Sequence, residues 1–258
     1  MSRAASARVS NSTNGRSARA LPAGYFARSE LPLASLVLLL PLLVVYELGT
    51  RRFVTDPFAG TEHRIIAFTL MQHFFHLFGA TGRHLPALAI VGILLAWHIA
   101  RNDPWKVKPG TLAGMAAEGA FLGVPLLAVG IVCLRYLMAM GSANPDWRGM
   151  IVLSIGAGIY EELVFRLIAF TLLHLLLVDL LGISKVWAGI GTVLAASLLF
   201  SLYHYLGPEP FDWRIFAFRT FAGIYFGVTF LFRGFGITAC AHSSYDVCVV
   251  ALRWLAQG

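Results

Sequence analysis

Residues 149–174 read GMIVLSIGAGIYEELVFRLIAFTLLH, and apart from the closing histidine the charged side chains in this run are Glu161, Glu162 and Arg166. A helix needs about 20 mostly apolar residues to cross the hydrocarbon core of a bilayer. An ionisable side chain near the bilayer centre costs about 2.5 to 3.5 kcal/mol on insertion scales. The stretch therefore predicts a membrane-spanning helix whose three charges are compensated by partners.

The whole chain has this apolar character. It has 258 residues, of which 58% are hydrophobic and 13% charged, and its mean hydropathy is +0.73. The apolar residues form long blocks between short loops, whereas the strands of a membrane barrel alternate over segments of about ten residues. We therefore predict an all-α, polytopic transmembrane helical bundle of about seven or eight membrane helices.

Seven spans are favoured over eight. We expect them at residues 31–49, 86–100, 112–140, 149–174, 186–206, 214–232 and 236–255. Residues 64–79 are apolar and aromatic but short for a span, so they are expected to lie at the interface or to re-enter. The predicted organisation is a disordered basic tail (1–29), N-terminal membrane helices (30–110) and a membrane core with the polar motifs (111–258).

The net charge of +7 does not indicate nucleic acid as a partner, because the basic residues lie in the tail and in loops between apolar blocks. The tail has no acidic residue before Glu30, and the loop at residues 101–108 carries Arg101, Lys106 and Lys108. Short basic segments of this kind stay on the cytoplasmic side. We expect an integral protein of a bacterial-type plasma membrane, with a cytoplasmic N-terminus and the lipid bilayer as its first partner.

Helix periodicity separates the three charged residues of residues 149–174 into a pair on one helix face and a single residue on another. Glu162 and Arg166 are four residues apart and share a helix face, with the acid on the N-terminal side, the order that favours an ion pair. Glu161 is turned by about 100° from Glu162. Glu161 is therefore predicted to be a carboxylate without a partner on its own helix.

Two later stretches supply imidazoles. Phe200 and His204 lie four apart in FSLYHYLG, and His242 and Asp246 lie four apart in AHSSYDV. Each histidine alone is more often a satisfied buried residue than a catalyst. Together with Glu161, they predict side chains that converge in one polar cavity.

Two chemistries fit such a cavity. Burial disfavours the charged form of a carboxylate and makes it a better base, so Glu161 with His204 is suited to activating a water and moving its proton. Glu161, His204 and His242 also make the His₂Glu ligand set with which several proteases bind Zn²⁺. The sequence leaves both a metal-free site and a zinc site open.

The ordered motifs EExxxR (Glu161, Glu162, Arg166), FxxxH (Phe200, His204) and HxxxD (His242, Asp246) resemble the CPBP family of intramembrane proteases. That family includes the CAAX prenyl endopeptidases and bacteriocin-processing or immunity proteins. The resemblance covers residues 112–256 and so makes 111–258 a CPBP-like catalytic core. It implies a glutamate-type or metalloprotease that hydrolyses a peptide bond of a membrane-associated peptide or lipidated protein with a water in a polar cavity.

The resemblance also implies roles for these positions. Glu161 would be the general base, His204 and His242 would position or protonate the reacting groups, and Arg166 would hold Glu162. The last motif residue of the family is often Asn, which suits donation to an oxyanion. Asp246 stands there in this chain, and we expect it to orient His242 instead.

Two other functions stay open. Buried Glu, His and Asp also serve in proton-coupled or ion-coupled transporters, although the sequence shows no inverted repeat of the kind common in them. A non-catalytic immunity or scaffold protein of the same family would keep the same fold. The intact motifs favour the enzyme, and nothing in the loops selects a prenylated over an unprenylated substrate.

Overall fold

The computed structural model is a bundle of helices, and it describes residues 20–55, 62–138, 146–207 and 209–256. The helices are α1 (Tyr25–Ser29), α2 (Pro32–Gly49), α3 (Ile66–Leu77), α4 (Leu85–Ala100), α5 (Pro109–Met138), α6 (Trp147–Glu162), α7 (Phe170–Leu175), α8 (Lys185–Tyr203) and α9 (Trp213–Leu255). Wider π-helical turns follow α2, α6 and α7, at Thr50–Val54, Leu163–Ala169 and Leu176–Leu180. A 3₁₀ turn, His204–Leu206, follows α8.

Within the described residues, five helical stretches are long and apolar enough to cross a membrane. They are Pro32–Val54, Pro109–Val132, Trp147–Leu180, Lys185–Leu206 and Trp213–Leu255. The shorter α4 is also apolar. Helix α3 has 12 residues and is only about 18 Å long at 1.5 Å per residue, which agrees with the expectation that residues 64–79 do not span. The predicted polytopic helical bundle is confirmed, and the protein is an integral membrane protein.

The longest helix is broken at Gly234. Helix α9 has 43 residues, about 65 Å of helix, which is roughly twice the thickness of a bilayer core. Gly234 has φ 73° and ψ −178°, values that lie outside the helical region. The break divides α9 into residues 213–233 and 235–255, each of span length, as the sequence predicted. With α4 counted as a short span, the described helices make seven.

The two halves of α9 lie side by side. The ring of Phe226 in the first half stacks on the ring of His242 in the second, with centroids 4.5 Å apart. The break therefore turns the chain back, so that residues distant in sequence face each other across the bundle.

A polar cluster fixes the chain next to the break. Arg233 Nη2 donates to Ser29 Oγ and to Glu118 Oε2, each at 2.9 Å. The hydroxyl of Tyr25 donates to the same Glu118 oxygen at 2.6 Å. Burial, together with the hydrogen bond to Glu118, raises the pKa of Tyr25 to about 12, so the hydroxyl stays protonated as a donor at neutral pH. The cluster ties α1 to α5 and α9.

The predicted disorder of the tail is wrong for residues 25–29, which form α1. The physical reason is that Tyr25 and Arg28 find partners in the bundle, the latter through a hydrogen bond of 3.1 Å from Nε to Thr111 Oγ1. Residues 1–19 of the predicted tail lie outside the described residues.

The N-terminal helices share a core with α6. The ring of Tyr160 in α6 packs on those of Tyr46 in α2 and Phe68 in α3, with centroids 5.3 and 5.1 Å apart. All three side chains are almost fully buried. Because Tyr160 directly precedes Glu161, this aromatic contact fixes one side of the helix that presents the carboxylates.

Gly234→Ala should lower the thermal midpoint of the detergent-solubilised protein. The backbone conformation at Gly234 is essentially restricted to glycine, and strain of this kind costs on the order of 1–3 kcal/mol. Gly92→Ala is the matched control, because Gly92 lies within α4 and a Cβ there meets nothing within 4 Å. The control should leave the midpoint unchanged or raise it slightly. Equal midpoints for the two variants would contradict this account of the break.

Candidate active site

The paired glutamates lie where α6 changes its winding. Glu162 is the last residue of α6, and the π-helical segment Leu163–Ala169 begins directly after it. Turns of this kind are rare and occur frequently at functional sites. Arg166 lies within the segment, and its Nε is 3.1 Å from Glu162 Oε2. The ion pair predicted from the four-residue spacing is therefore confirmed.

This ion pair is removed from solvent. Glu162 is 0% and Arg166 1% exposed. Arg166 Nη2 donates to the backbone carbonyl of Gly223 at 3.0 Å, and the guanidinium carbon lies 4.6 Å from the ring centroid of Phe200. Burying a charge is costly unless it is paired and hydrogen-bonded. Arg166 meets most of this requirement through Glu162, the carbonyl of Gly223 in α9 and the ring of Phe200 in α8, while its Nη1 has no hydrogen-bond partner among the described residues.

Glu162 also binds His242, through its other oxygen. His242 Nδ1 lies 2.7 Å from Glu162 Oε1. Because a carboxylate accepts hydrogen bonds, the proton of this bond belongs to Nδ1, and Nε2 is the nitrogen that remains for chemistry. Glu162 therefore bridges Arg166 and the histidine of the last span.

Asp246, which we expected to orient His242, lies beside one nitrogen of that ring, and Glu162 binds the other. Asp246 Oδ2 is 3.4 Å from His242 Nε2, the nitrogen opposite the one that Glu162 binds. The shorter bond, and hence the orientation of the ring, comes from Glu162. The sequence missed this because Glu162 and His242 are 80 positions apart and no spacing rule connects two separate helices.

Helices α6 and α9 cross closely enough for Glu162 and His242 to form a hydrogen bond. A Cβ built on Gly158 in α6 would lie 2.8 Å from the carbonyl oxygen of Ala239 in α9 and would overlap Ser243. Small residues at such points let two membrane helices approach until their backbones touch. Gly158 is four positions before Glu162, and Ala239 is three before His242, so the bonded side chains extend from this crossing.

Glu161 faces away from the ion pair and towards both histidines. Its Oε1 is 4.0 Å from His204 Nε2, and its Oε2 is 3.8 Å from His242 Nε2. Its side chain is only 6% exposed. The hydroxyl of Tyr203 donates to Oε1 and fixes the carboxylate from the side of α8. The predicted convergence of the three side chains is therefore present in the structure.

The tautomer of His204 follows from its backbone partner. His204 Nδ1 lies 2.8 Å from the carbonyl oxygen of Phe200. A carbonyl oxygen only accepts, so Nδ1 carries the proton, and Nε2 of the neutral ring presents its lone pair towards Glu161. Phe200 of the FxxxH motif therefore contributes its carbonyl to the histidine and its ring to Arg166.

All six predicted site residues lie in one cluster, and two further residues were missed. Tyr203 binds Glu161, and Phe226 stacks on His242 with an interplanar angle of 18°. The only sequence signal for Tyr203 was its position next to His204. Phe226 had none, because its place depends on the break in α9.

A cavity of about 340 Å³ connects the cluster with the surface. His242 and Asp246 line it at one end, and Glu209 and Arg253 line it at the other. Its walls come mainly from one face of each half of α9, through residues 215, 218, 219, 222 and 226 of the first half and residues 242, 245, 246, 249 and 253 of the second. The cavity therefore places His242 and Asp246 in contact with the space between the two halves of α9.

The geometry does not fit the zinc ligand set considered from the sequence. Among the residues that the structure describes, no three His, Cys, Asp or Glu side chains are arranged to hold a metal ion. In a tetrahedral Zn²⁺ site with bonds of about 2.1 Å, neighbouring donor atoms lie roughly 3.4 Å apart, whereas Glu161 Oε1 is 4.0 Å from His204 Nε2 and Glu161 Oε2 is 3.8 Å from His242 Nε2. In this arrangement the three side chains are spaced more widely than a zinc site requires.

The fold and the cluster together define a polytopic membrane protein with a buried carboxylate–histidine site beside a cavity. Residues 143–248 match the family model described as Type II CAAX prenyl endopeptidase Rce1-like, and this match confirms the family resemblance found in the motifs. The matched segment contains all six site residues, and it supports a membrane protease of the CAAX endopeptidase kind. Neither the curated proteins nor the solved structures contain a significant match.

Arg166→Met should destabilise the protein strongly, because it leaves the carboxylate of Glu162 buried without its cation. Removing one partner of a buried pair costs about 3–5 kcal/mol. The measurement is the thermal midpoint in detergent, with the double variant Glu162→Gln/Arg166→Met as comparison. The double variant removes the orphaned charge and should recover part of the loss. A single variant as stable as the native protein would show that the pair does not hold the helices.

Proposed function

We propose that the protein is an intramembrane endopeptidase that hydrolyses a peptide bond of a membrane-associated substrate, with Glu161 as the general base. The observation that carries this proposal is the position of the Glu161 carboxylate, which is buried and lies 4.0 and 3.8 Å from the Nε2 atoms of His204 and His242. Glu162, by contrast, is occupied by Arg166 and His242. Of the two adjacent glutamates, Glu161 is the one available to accept a proton from water.

The nucleophile is a water held between Glu161 and His204. A separation of 4.0 Å is too long for a direct hydrogen bond and suits a bridging water. Both Glu161 Oε1 and the lone pair of His204 Nε2 accept, so the water donates to each of them. Its own lone pairs then point away from both acceptors, towards the carbonyl carbon of the substrate.

In the first step, Glu161 takes a proton from the water, and the water oxygen forms a bond to the carbonyl carbon. The electron pair of the C=O bond moves to the oxygen. A proton on His242 Nε2 would stabilise this oxyanion by a hydrogen bond, and Asp246 Oδ2 lies 3.4 Å from that nitrogen. In the second step, the C–N bond breaks, and the leaving nitrogen takes the proton that Glu161 had received.

Three residues position these groups. Tyr203 fixes the carboxylate of Glu161, and Glu162 fixes the ring of His242. Arg166 fixes Glu162 from the opposite side. We assign the catalytic core to residues 111–258, because these side chains and the cavity lining all belong to that part of the chain. No step passes through a metal.

We further propose that the protein lies in a bacterial-type plasma membrane with its N-terminus on the cytoplasmic side. The basic loop at residues 101–108 lies at the same end of the bundle as α1, since Val107 packs against the same buried cluster as Leu21 and Tyr25. The cavity mouth near Arg253 lies at the opposite end. The family description names CAAX prenyl endopeptidases, and we assign the substrate as a membrane-associated peptide, either lipidated or not.

Glu161→Gln should lower the rate of peptide cleavage by about 10²- to 10⁴-fold, the usual contribution of a general base. The fold should be retained, because Glu161 is not part of the ion pair. The measurement is cleavage of a fluorogenic prenylated CAAX peptide in proteoliposomes, with the thermal midpoint measured in parallel. Asp179→Asn is the control, since Asp179 is an exposed carboxylate further along the same continuous helical stretch. Unchanged turnover by Glu161→Gln would remove Glu161 from the mechanism.

Chelation should not abolish cleavage. Because the donor atoms of Glu161, His204 and His242 are not arranged to hold an ion, prolonged treatment with EDTA or 1,10-phenanthroline should leave the initial rate within about twofold. A zinc protease assayed under the same conditions serves as the positive control. The opposite result is loss of activity that added Zn²⁺ restores, and it would replace the metal-free mechanism with a metalloprotease.

A further inference from the structure

The mouth of the active-site cavity carries two guanidinium groups that the proposed mechanism does not use. Arg219 comes from the first half of α9 and Arg253 from the second, and both line the same cavity as His242. Their common position in the walls of one cavity raises the question of which ligand they meet there.

Arg219 is held in place but is not fully bonded. Its Nη2 donates to Glu209 Oε2 at 2.9 Å, whereas its Nη1 is buried and has no hydrogen-bond partner within the described parts of the chain. A guanidinium has five donors in a planar fork, and a buried donor without an acceptor is costly. Glu209 therefore orients the group, and Nη1 remains available for an acceptor that enters the cavity.

Arg253 supplies a positive charge that is not paired with a carboxylate among the described residues. Its side chain is exposed, and it makes no ion pair or hydrogen bond with any residue that the structure describes. Glu209 pairs with Arg219, and Asp246, the other carboxylate of the lining, lies beside His242. Among the described residues, the guanidinium of Arg253 and the Nη1 atom of Arg219 are therefore left without an acceptor. A carboxylate suits both groups, because the guanidinium fork matches carboxylate geometry.

The distance along α9 from Arg219 to the level of His242 suits a peptide with a carboxylate near the cleaved bond. That carboxylate is either the C-terminus of the peptide or an acidic side chain. Arg219 precedes Phe226, which stacks on His242, by seven residues, or about 10 Å along a helix. An extended peptide advances roughly 3.3 Å per residue. A carboxylate a few residues beyond the scissile bond therefore reaches Arg219 when the bond itself lies at His242.

We propose that Arg219 and Arg253 form a binding site for a carboxylate of the substrate, located a few residues to the C-terminal side of the scissile bond. The inference rests on the proposed endopeptidase function and adds a determinant of specificity to it. Two sources supply this chemistry, the terminal carboxylate of the peptide and an acidic side chain near its end.

The test compares three prenylated peptides of one sequence with the full-length protein in proteoliposomes. The first has a free C-terminal carboxylate, the second a C-terminal amide, and the third an amide preceded by a glutamate. The acid should be cleaved with a kcat/KM at least tenfold above that of the neutral amide, mainly through KM. If the glutamate peptide is cleaved with the kcat/KM of the acid, a side-chain carboxylate is sufficient for binding. If it is cleaved only as slowly as the neutral amide, the site requires the terminal carboxylate. Equal KM values for all three peptides would overturn the proposal.

Variants locate the effect. Arg253→Gln should raise KM for the acid peptide and leave kcat within about twofold, so that the ratio of kcat/KM between the acid and the amide peptide becomes smaller. Arg219→Gln should have the same effect where the variant folds. Arg148→Gln is the control, because Arg148 is an exposed arginine outside the cavity lining. The assignment would be contradicted if both Arg253→Gln and Arg219→Gln kept the native ratio of kcat/KM between the acid and the amide peptide.

Binding separates this inference from the proposed function. The affinities of the acid and amide peptides for the Glu161→Gln protein are measured without cleavage, and the acid should bind at least tenfold more tightly. If the native protein cleaves none of the peptides, the endopeptidase proposal fails, while the affinity difference still decides the carboxylate site.

Discussion

The structure depends on a buried network of two bonds, the ion pair of Arg166 with Glu162 and the hydrogen bond of Glu162 with His242. In the apolar interior of a membrane protein, the charge of Glu162 is tolerated because Arg166 forms an ion pair with it and His242 donates a hydrogen bond to its Oε1. Those partners come from the π-helical segment after α6 and from the second half of α9. The requirement to neutralise one carboxylate therefore determines how two spans are joined, and it leaves Glu161 on the free face of the same helix.

The break at Gly234 makes this network possible. A continuous α9 would carry His242 far from Phe226, whereas the reversal stacks the two rings and opens a cavity between the two halves. The cluster of Arg233, Glu118 and Tyr25 holds the chain immediately before the break. Structure at one end of the bundle thus fixes the position of a histidine near its centre, and the cavity leads from there to the opposite end.

The sequence predicted the parts of this arrangement that depend on local periodicity. The apolar blocks predicted the spans, and the four-residue spacing predicted the pair of Glu162 and Arg166. The three ordered motifs predicted that Glu161, His204 and His242 converge. These inferences succeeded because helix geometry and the cost of buried charge act within one segment or apply to any membrane helix.

The remaining features depend on how distant segments approach each other. The bond from Glu162 to His242 requires the crossing at Gly158, and no sequence rule gives the crossing point of two helices. Tyr203 became significant only when α8 was placed beside α6. The ordered α1 was missed because its stability comes from Glu118 and Thr111 and not from its own composition.

The central claim is that Glu161 and His204 hold a nucleophilic water. The most direct test is an experimental structure of the protein in lipid, at a resolution that reveals ordered solvent. The account predicts a water within hydrogen-bond distance of both Glu161 Oε1 and His204 Nε2, with Glu162 bound to Arg166 and His242. A metal ion coordinated by Glu161, His204 and His242, or a Glu161 side chain turned away from both histidines, would contradict it.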